Sequence, residues 1–232
     1  MISIIIPTKN EEHYLPKLLK SIKKQDYKDY EVIVSDAGSK DKTVSIAKKF
    51  KCKIVKGGLP SVGRNNGAKA AKGDLFLFLD SDVRLPSNFL NVLAENVEKR
   101  GLDAGSFYSK PYDGKWIDHM IVASTNLLMN LVKGWWAHAY GWCTFCKKKV
   151  YKKINGFDEA ILLGEDNDFA RRSSKAGKFG IIKETRVFNS MRRFEKEGRL
   201  NMSLRYTVHE MYRLFIGEIK GDKFKYNFDY KK

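Results

Sequence analysis

Cysteine is scarce in this chain: three in 232 residues, an odd number that gives no disulfide framework and fits a reducing compartment. Long apolar runs are missing too. None reaches the roughly 18 residues of a membrane-spanning helix, and the start, "MISIIIPTKNEE", has no charged segment ahead of its apolar one, so no signal peptide is expected. The expectation is a protein that begins at Met1 and works in the cytoplasm. The four histidines, His13, His119, His138 and His209, lack metal-ligand spacing. There is no internal repeat and no low-complexity linker. Acidic residues are outnumbered, 27 Asp and Glu against 44 Lys and Arg, leaving a net charge of +17. That excess implies phosphate among the partners, as nucleotide, nucleic acid or anionic lipid headgroup. Lysine-rich solubility is the alternative for solvated stretches such as "KLLKSIKKQDYK" and "KKKVYKK". Nucleic acid is the weakest of these partners, because no zinc finger, RNP-type aromatic strand or helix-turn-helix signature is present.

What is there is a strand–helix alternation. With 43% hydrophobic residues the chain can build one large α/β domain. Ser3 to Ile6, Glu31 to Val34 and Leu75 to Leu79 are short, continuous and β-branched or aromatic, the pattern of strands covered on both faces. Cys52 to Val55 adds a fourth. Helical segments lie between them at Tyr14–Lys24, Thr43–Phe50 and Ser61–Ala71, and Ser87–Arg100 follows a Pro-Ser start. This order implies a mostly parallel sheet flanked by helices. Beyond Gly101 the alternation fades. A strand is expected at Ala104–Tyr108, a mixed segment at Trp116–Trp136, a strand at Gly141–Lys147 and a helix at Glu165–Lys175. The expected division is a Rossmann-like nucleotide-binding half (1–100), a half of the same domain that holds the second substrate (101–198), and an amphipathic helix with a basic tail (199–232).

Ligand sites in such sheets lie beyond the carboxyl ends of the strands. After the first strand comes "PTKNEE" rather than G-x-G-x-x-G, which disfavours a dinucleotide fold. "GLPSVGRN" approaches a P-loop but puts Arg64 and Asn65 at its two functional positions. Gly63 and the helix start still offer backbone amides, and Arg64 offers a fork suited to a diphosphate. The buried strand Leu75–Leu79 ends in Asp80-Ser81-Asp82. Two carboxylates at i and i+2 share a side of an extended chain and repel. Mn2+ or Mg2+, held by one or two carboxylates plus substrate phosphate, would relieve them.

"SIIIPTKNEEHYLPKLLKSI", "EVIVSDAGSKDKT", "GRNNGAKAAKGDLFLFLDSDVRLP", "INGFDEAILLGEDNDFARRSSKAGK" and "SMRRFEKEGRL" occur in that order from Ser3 to Leu200. As a set they resemble glycosyltransferase family 2, with its GT-A fold. The resemblance implies inverting sugar transfer from a UDP-, GDP- or dTDP-linked donor, usually with manganese or magnesium. It implies that Pro7, Thr8, Asn10 and Glu11 line the nucleoside end, that Asp36 contacts base or ribose, and that Arg64 faces the diphosphate. Asp82 would bind the metal, with Asp80 on the ribose or a metal-bound water. Asp166 would be the base that takes the acceptor proton, with Glu165 orienting the acceptor. Arg192 and Arg193 match a subset with paired arginines, which implies contact with the diphosphate or with an acceptor phosphate, and a solvated helix start is their alternative. Two departures stand out: Ala37 where an acid is frequent, and Asn189 where many members place a metal-binding histidine.

Other readings are weaker. A sugar-phosphate nucleotidyltransferase calls for a Gly-rich, Arg-containing loop after the first strand, which "PTKNEE" is not. A transferase fold that binds donors without turnover conflicts with intact Asp82 and Asp166. "WCTFC" resembles a redox C-x-x-C but lies too late in the chain, so Cys143 and Cys146 read as packing residues. Trp135 and Trp136 beside Lys133 suit a headgroup interface, with core packing or sugar stacking as the alternative. In the tail, Leu200, Leu204, Val208, Met211 and Phe215 form a stripe with Arg205 and Arg213 off it. That stripe can dock on the domain, on a second subunit or on the anionic cytoplasmic face of a membrane. Lipid-linked, protein and small-molecule acceptors stay open.

Overall fold

The computed structural model describes residues 1–221. Its centre is a seven-stranded sheet. In chain order the strands are β1 (Ile2–Thr8), β2 (Tyr30–Asp36), β3 (Lys53–Lys56), β4 (Leu75–Leu79), β5 (Ala104–Pro111), β6 (Cys143–Lys147) and β7 (Phe179–Asn189). They lie side by side as β3-β2-β1-β4-β6-β5-β7. β6 alone runs against its neighbours β4 and β5, so the sheet is mostly parallel.

The apolar runs that read as doubly covered strands are so because successive side chains enter opposite cores. Ile4 and Ile6 of β1 and Leu77 and Leu79 of β4 enter one core, while Ile5, Phe76 and Phe78 enter the other. On the first side pack α1 (Leu15–Lys23), α2 (Thr43–Lys49) and α4 (Phe89–Lys99); on the second pack α3 (Pro60–Ala70), α6 (Lys148–Lys153) and α7 (Glu165–Ala176). α1 presents Leu15, Leu18, Leu19 and Ile22 to its core at i, i+3, i+4 and i+7. α3 approaches β1 closely enough that a Cβ on Gly67 would stand 2.4 Å from Ile5 Cγ2.

The C-terminal half departs from its sequence reading in two places. Trp116–Val132, read as a mixed segment, is the continuous helix α5. β7, an eleven-residue strand, had no sequence counterpart; its pairing with β5 jumps from Phe107↔Ile182 to Tyr108↔Arg186, so Lys183–Thr185 bulge out and break the alternation. The chain closes with α8 (Arg192–Glu197) and α9 (Arg199–Phe215). Residues 222–232 of the basic tail lie outside the described residues.

Candidate active site

Parallel strands β1 and β2 end side by side, with Thr8 registered on Asp36 and Pro7 on Ser35. Asp36 organises the rim there: its carboxylate accepts from the amides of Gly38 and Ser39 at 3.0 and 2.9 Å and from the Thr8 hydroxyl at 3.3 Å. Asn10 takes a left-handed backbone, φ 56°. It ties the two loops by donating its amide to Ser39 Oγ and accepting from the Lys40 amide, both at 2.8 Å. Pro7, Thr8, Asn10 and Asp36 therefore stand together at one end of the sheet. Glu11 leaves that group and turns to the acidic residues beyond β4.

Those acids form two ion-paired chains. In one, Arg64 of α3 donates to Glu165 at 2.7 Å and to Asp80 and the Gly141 carbonyl at 3.0 Å each. Its side chain is 3% exposed, so the guanidinium sets the spacing of the acids rather than lying open toward a diphosphate. In the other, Arg192 of α8 grips both oxygens of Glu11 at 3.1 and 2.7 Å, sets its Nε 2.8 Å from Asp82 Oδ2, and stacks 4.2 Å from the Tyr14 ring. Arg193 adds its charge to the field on Asp80 and Asp82.

Burial raises the pKa of Glu11, Asp80 and Asp82, and the guanidiniums bring it only part of the way back. Glu11, Asp80, Asp82, Glu165 and Asp166 make five carboxylates against three guanidiniums. This set is short of positive charge. Its hard oxygen donors fit Mg2+ or Mn2+, which need few protein carboxylates when substrate phosphates complete the shell. No group of three or more His, Cys, Asp or Glu side chains among the described residues makes a self-sufficient metal site.

The first turn of α7 supplies Glu165, Asp166 and Asp168. Two of them are committed: Glu165 to Arg64, and buried Asp168 to Arg172 at 2.7 Å. Asp166 bonds only the amide of Asn167, at 2.9 Å, and no cationic side chain bonds it among the described residues. Lost solvation, then the charge of Glu165, push its pKa up to about 7, against the pull of Arg64. Gly141 makes room for it, since a Cβ there would come within 2.9 Å of Asp166 Oδ2. Gly164, at φ +77° ahead of the helix, is filled over by His209 of α9, whose Cε1 lies 2.3 Å from where a Cβ would be. The result is a half-buried carboxylate able to take a proton near neutral pH, beside Glu165, which Arg64 ties to Asp80.

This site lies within a recognisable sequence. The sequence model of glycosyl transferase family 2 matches residues 3–155. The chain belongs to that family. Among curated glycosyltransferases it is 27% identical over 238 residues to the poly(ribitol-phosphate) beta-N-acetylglucosaminyltransferase TarS of Staphylococcus aureus, covering 94% of this chain and 40% of TarS. It is 38% identical over 108 residues to the GalNAc(5)-diNAcBac-PP-undecaprenol beta-1,3-glucosyltransferase of Campylobacter jejuni, 42% of this chain and 35% of that enzyme. The chain thus spans less than half the length of these two relatives. Solved structures share the fold. TarS residues 1–349 with UDP-GlcNAc superimposes with a TM-score of 0.68 at 22% identity, over 82% of this chain and 58% of that one. The mannosyltransferase PcManGT of Pyrobaculum calidifontis with GDP-Man and Mn2+ gives 0.73 at 19%, over 97% and 66%. The architecture is thus the GT-A fold. The nucleotidyltransferase and nucleic-acid readings find no support among these relatives.

Several family positions take places here that the sequence did not foretell. Gly63 is inside α3, its amide donating to the Leu59 carbonyl at 2.8 Å, and its missing side chain admits Pro7 at 3.1 Å; it serves packing, not a phosphate cradle. Asn189, in the family's histidine position, is buried and accepts from Ser109 Oγ at 2.7 Å while its amide nitrogen meets the Met191 sulfur. Cys143 and Cys146 are free and, three apart on one strand, enter opposite cores; burial raises both thiol pKa values, that of Cys146 to about 12. They are packing residues, as read. The clasp behind Asp166 was missed altogether. Asn167 donates to Glu210 of α9 at 3.0 Å, and Glu210 also accepts from Arg213 at 2.7 Å and meets His138 at 2.9 Å. With 43 and 72 residues separating those partners, no local pattern signals it.

Proposed function

We propose that this chain transfers a sugar from a nucleotide-diphosphate donor to an acceptor hydroxyl with inversion, in one displacement. The observation that carries the reading is the Asp80–Arg64–Glu165 chain, which holds the aspartates after β4 and the acids at the start of α7, Asp166 among them, in one site. Pro7, Thr8, Asn10 and Asp36 frame the nucleoside. Arg192 and Arg193, already drawn to Asp82 and Asp80, receive the diphosphate. Asp82, with Asp80, would hold Mn2+ or Mg2+ against the donor phosphates, and that ion would supply charge neutralisation for the departing diphosphate. The acid-rich floor supports this: a diphosphate cannot settle on surplus carboxylate charge without a cation.

Asp166 accepts the acceptor's hydroxyl proton as the acceptor oxygen bonds to the anomeric carbon and the bond from that carbon to the diphosphate oxygen breaks. The nucleoside diphosphate leaves with the electron pair. Such base assistance is worth about 10²- to 10⁴-fold. Attack opposite the leaving group inverts the anomeric centre, and no covalent intermediate is required.

Calorimetry with UDP-, GDP- and dTDP-sugars, with and without Mn2+, tests the donor half. One donor is expected to bind with metal, and Asp82→Ala to weaken it by about tenfold or more. Failure of every donor under both conditions refutes the reading.

A further inference from the structure

Helix α9 packs on the domain through a mostly polar face. Met202, His209 and Arg213 face the domain, and the apolar stripe expected to be covered is outside: Leu200 is 83% exposed, with Leu204, Val208, Met211 and Phe215 beside it. α5 repeats the arrangement. It buries Asp118, Val122, Asn126 and Met129 and turns Trp116, Met120, Leu127, Leu128 and Leu131 to solvent. The two helices are neighbours, since Asp118 takes two bonds from Arg199 at 2.7 Å each and Val122 packs with Met202. A soluble surface rarely carries an apolar region spread over two helices without something to cover it.

The charge pattern identifies the cover. From Trp116 to Val132 the chain holds no lysine or arginine, and its one carboxylate, Asp118, is buried. Lys115 and Lys133 bracket the helix, and exposed Trp116 and Trp135 stand at its two ends, the distribution of an interfacial helix. On α9 the charges are spent inward or along the helix: Arg199 on Asp118, Arg205 on Glu197, and Arg213 on Glu210 and Glu218. No helix among the described residues is long and apolar enough to cross a membrane. A second copy would bring a whole chain of net charge +17 up against this one, whereas an anionic bilayer answers the charge of the chain and of Lys115 and Lys133 at the ends of α5. Residues 220–232, next along the chain, add five lysines against two aspartates.

We propose that the α5–α9 face lies in the headgroup–acyl boundary of an anionic bilayer. Through the Glu210–Asn167 bond, α9 then holds the start of α7, where Asp166 stands, about one helix diameter, ~10 Å, from the lipid surface.

The test is flotation of the full chain with vesicles of phosphatidylcholine alone or mixed equally with phosphatidylglycerol, plus quenching of tryptophan fluorescence by brominated phosphatidylcholine in the mixed vesicles. Partition is expected to be about tenfold or more stronger with phosphatidylglycerol, with quenching, and the double variant Leu128→Glu/Leu204→Glu to lose about tenfold or more. An unchanged circular dichroism melt shows that the variant folds; if it does not, Leu128→Ser/Leu204→Ser takes its place. No partition overturns the proposal. So does partition without quenching, which is adsorption through lysines only, or equal partition of the variant. A wild-type dimer that the variant dissociates would assign the face to a second copy instead.

Discussion

Replacing Glu165 with glutamine should move the titration of Asp166 toward acid. The two carboxylates occupy adjacent positions in the first turn of α7, and the Glu165 charge is the second cause, after burial, of the rise of Asp166 to about 7. At roughly 6 Å and an effective dielectric of about 20, one charge on another is worth about 3 kcal/mol, or about 2 pH units. Arg64 does not diminish the change, because its field on Asp166 is the same before and after the substitution. Solvent in the half-buried cleft does, so the expected fall is about 1 to 2 units. Glutamine still accepts the 2.7 Å bond from Arg64, which limits structural damage. NMR titration of carboxyl-labelled aspartate reads the shift directly, and the acid limb of donor turnover against pH should move with it. A limb that stays put, or moves to higher pH, refutes the assignment of that limb to Asp166 beside an ionised Glu165.

Asp166→Asn should cut transfer by about 10²- to 10⁴-fold while leaving donor affinity in place. The same change should stabilise the fold at high pH. The folded state holds the Asp166 proton more tightly than the unfolded chain, so the native contribution is full below the ordinary carboxylate range and is lost as pH rises through about 7. Asparagine escapes that loss. At pH 8 it should gain about 1 to 2 kcal/mol after allowance for solvent, and near pH 4 the two melting curves should converge. Gly141→Ala places a methyl 2.9 Å from Asp166 Oδ2, and so should lower transfer by about 10²-fold by displacing the base. Steady-state kinetics beside donor calorimetry would separate that loss from impaired donor binding.

The N-terminal half was readable because its strands are buried on both faces and its helices on one. Ile4 to Ile6 and Phe76 to Leu79 show continuous apolar runs, α1 a clean stripe, and each pattern has a single physical solution. α5 was not readable, since its buried face mixes Asp118 and Asn126 with Val122 and Met129 while its exposed face is apolar, which leaves no apolar period facing the core. α9 showed a clear apolar stripe, but the stripe alone did not say which side it packs on, and its inner face is held by Met202 together with ion pairs of Arg199 and Arg213 to residues beyond the pattern. At the site, short motifs named the acids and could not pair them. Arg64 meets Glu165 across 101 residues and Arg192 meets Glu11 across 181, separations at which no local pattern in the sequence registers a partner.

The reversed strand β6 binds the two halves into one object. It lies between β4 and β5, pairing Leu75–Leu79 along its whole length, and its approach through Trp142 gives the Asp80 amide its acceptor at 3.1 Å. A fragment ending near residue 100 would keep every nucleoside-rim residue and still lose half its integrity. β4, four of its five residues buried, would become a bare, greasy sheet margin with no partner for its outer hydrogen bonds, a template for stacking against other chains. Attempts to isolate the donor half should therefore yield aggregates, and an added strand mimicking "CTFCK" in trans should restore solubility.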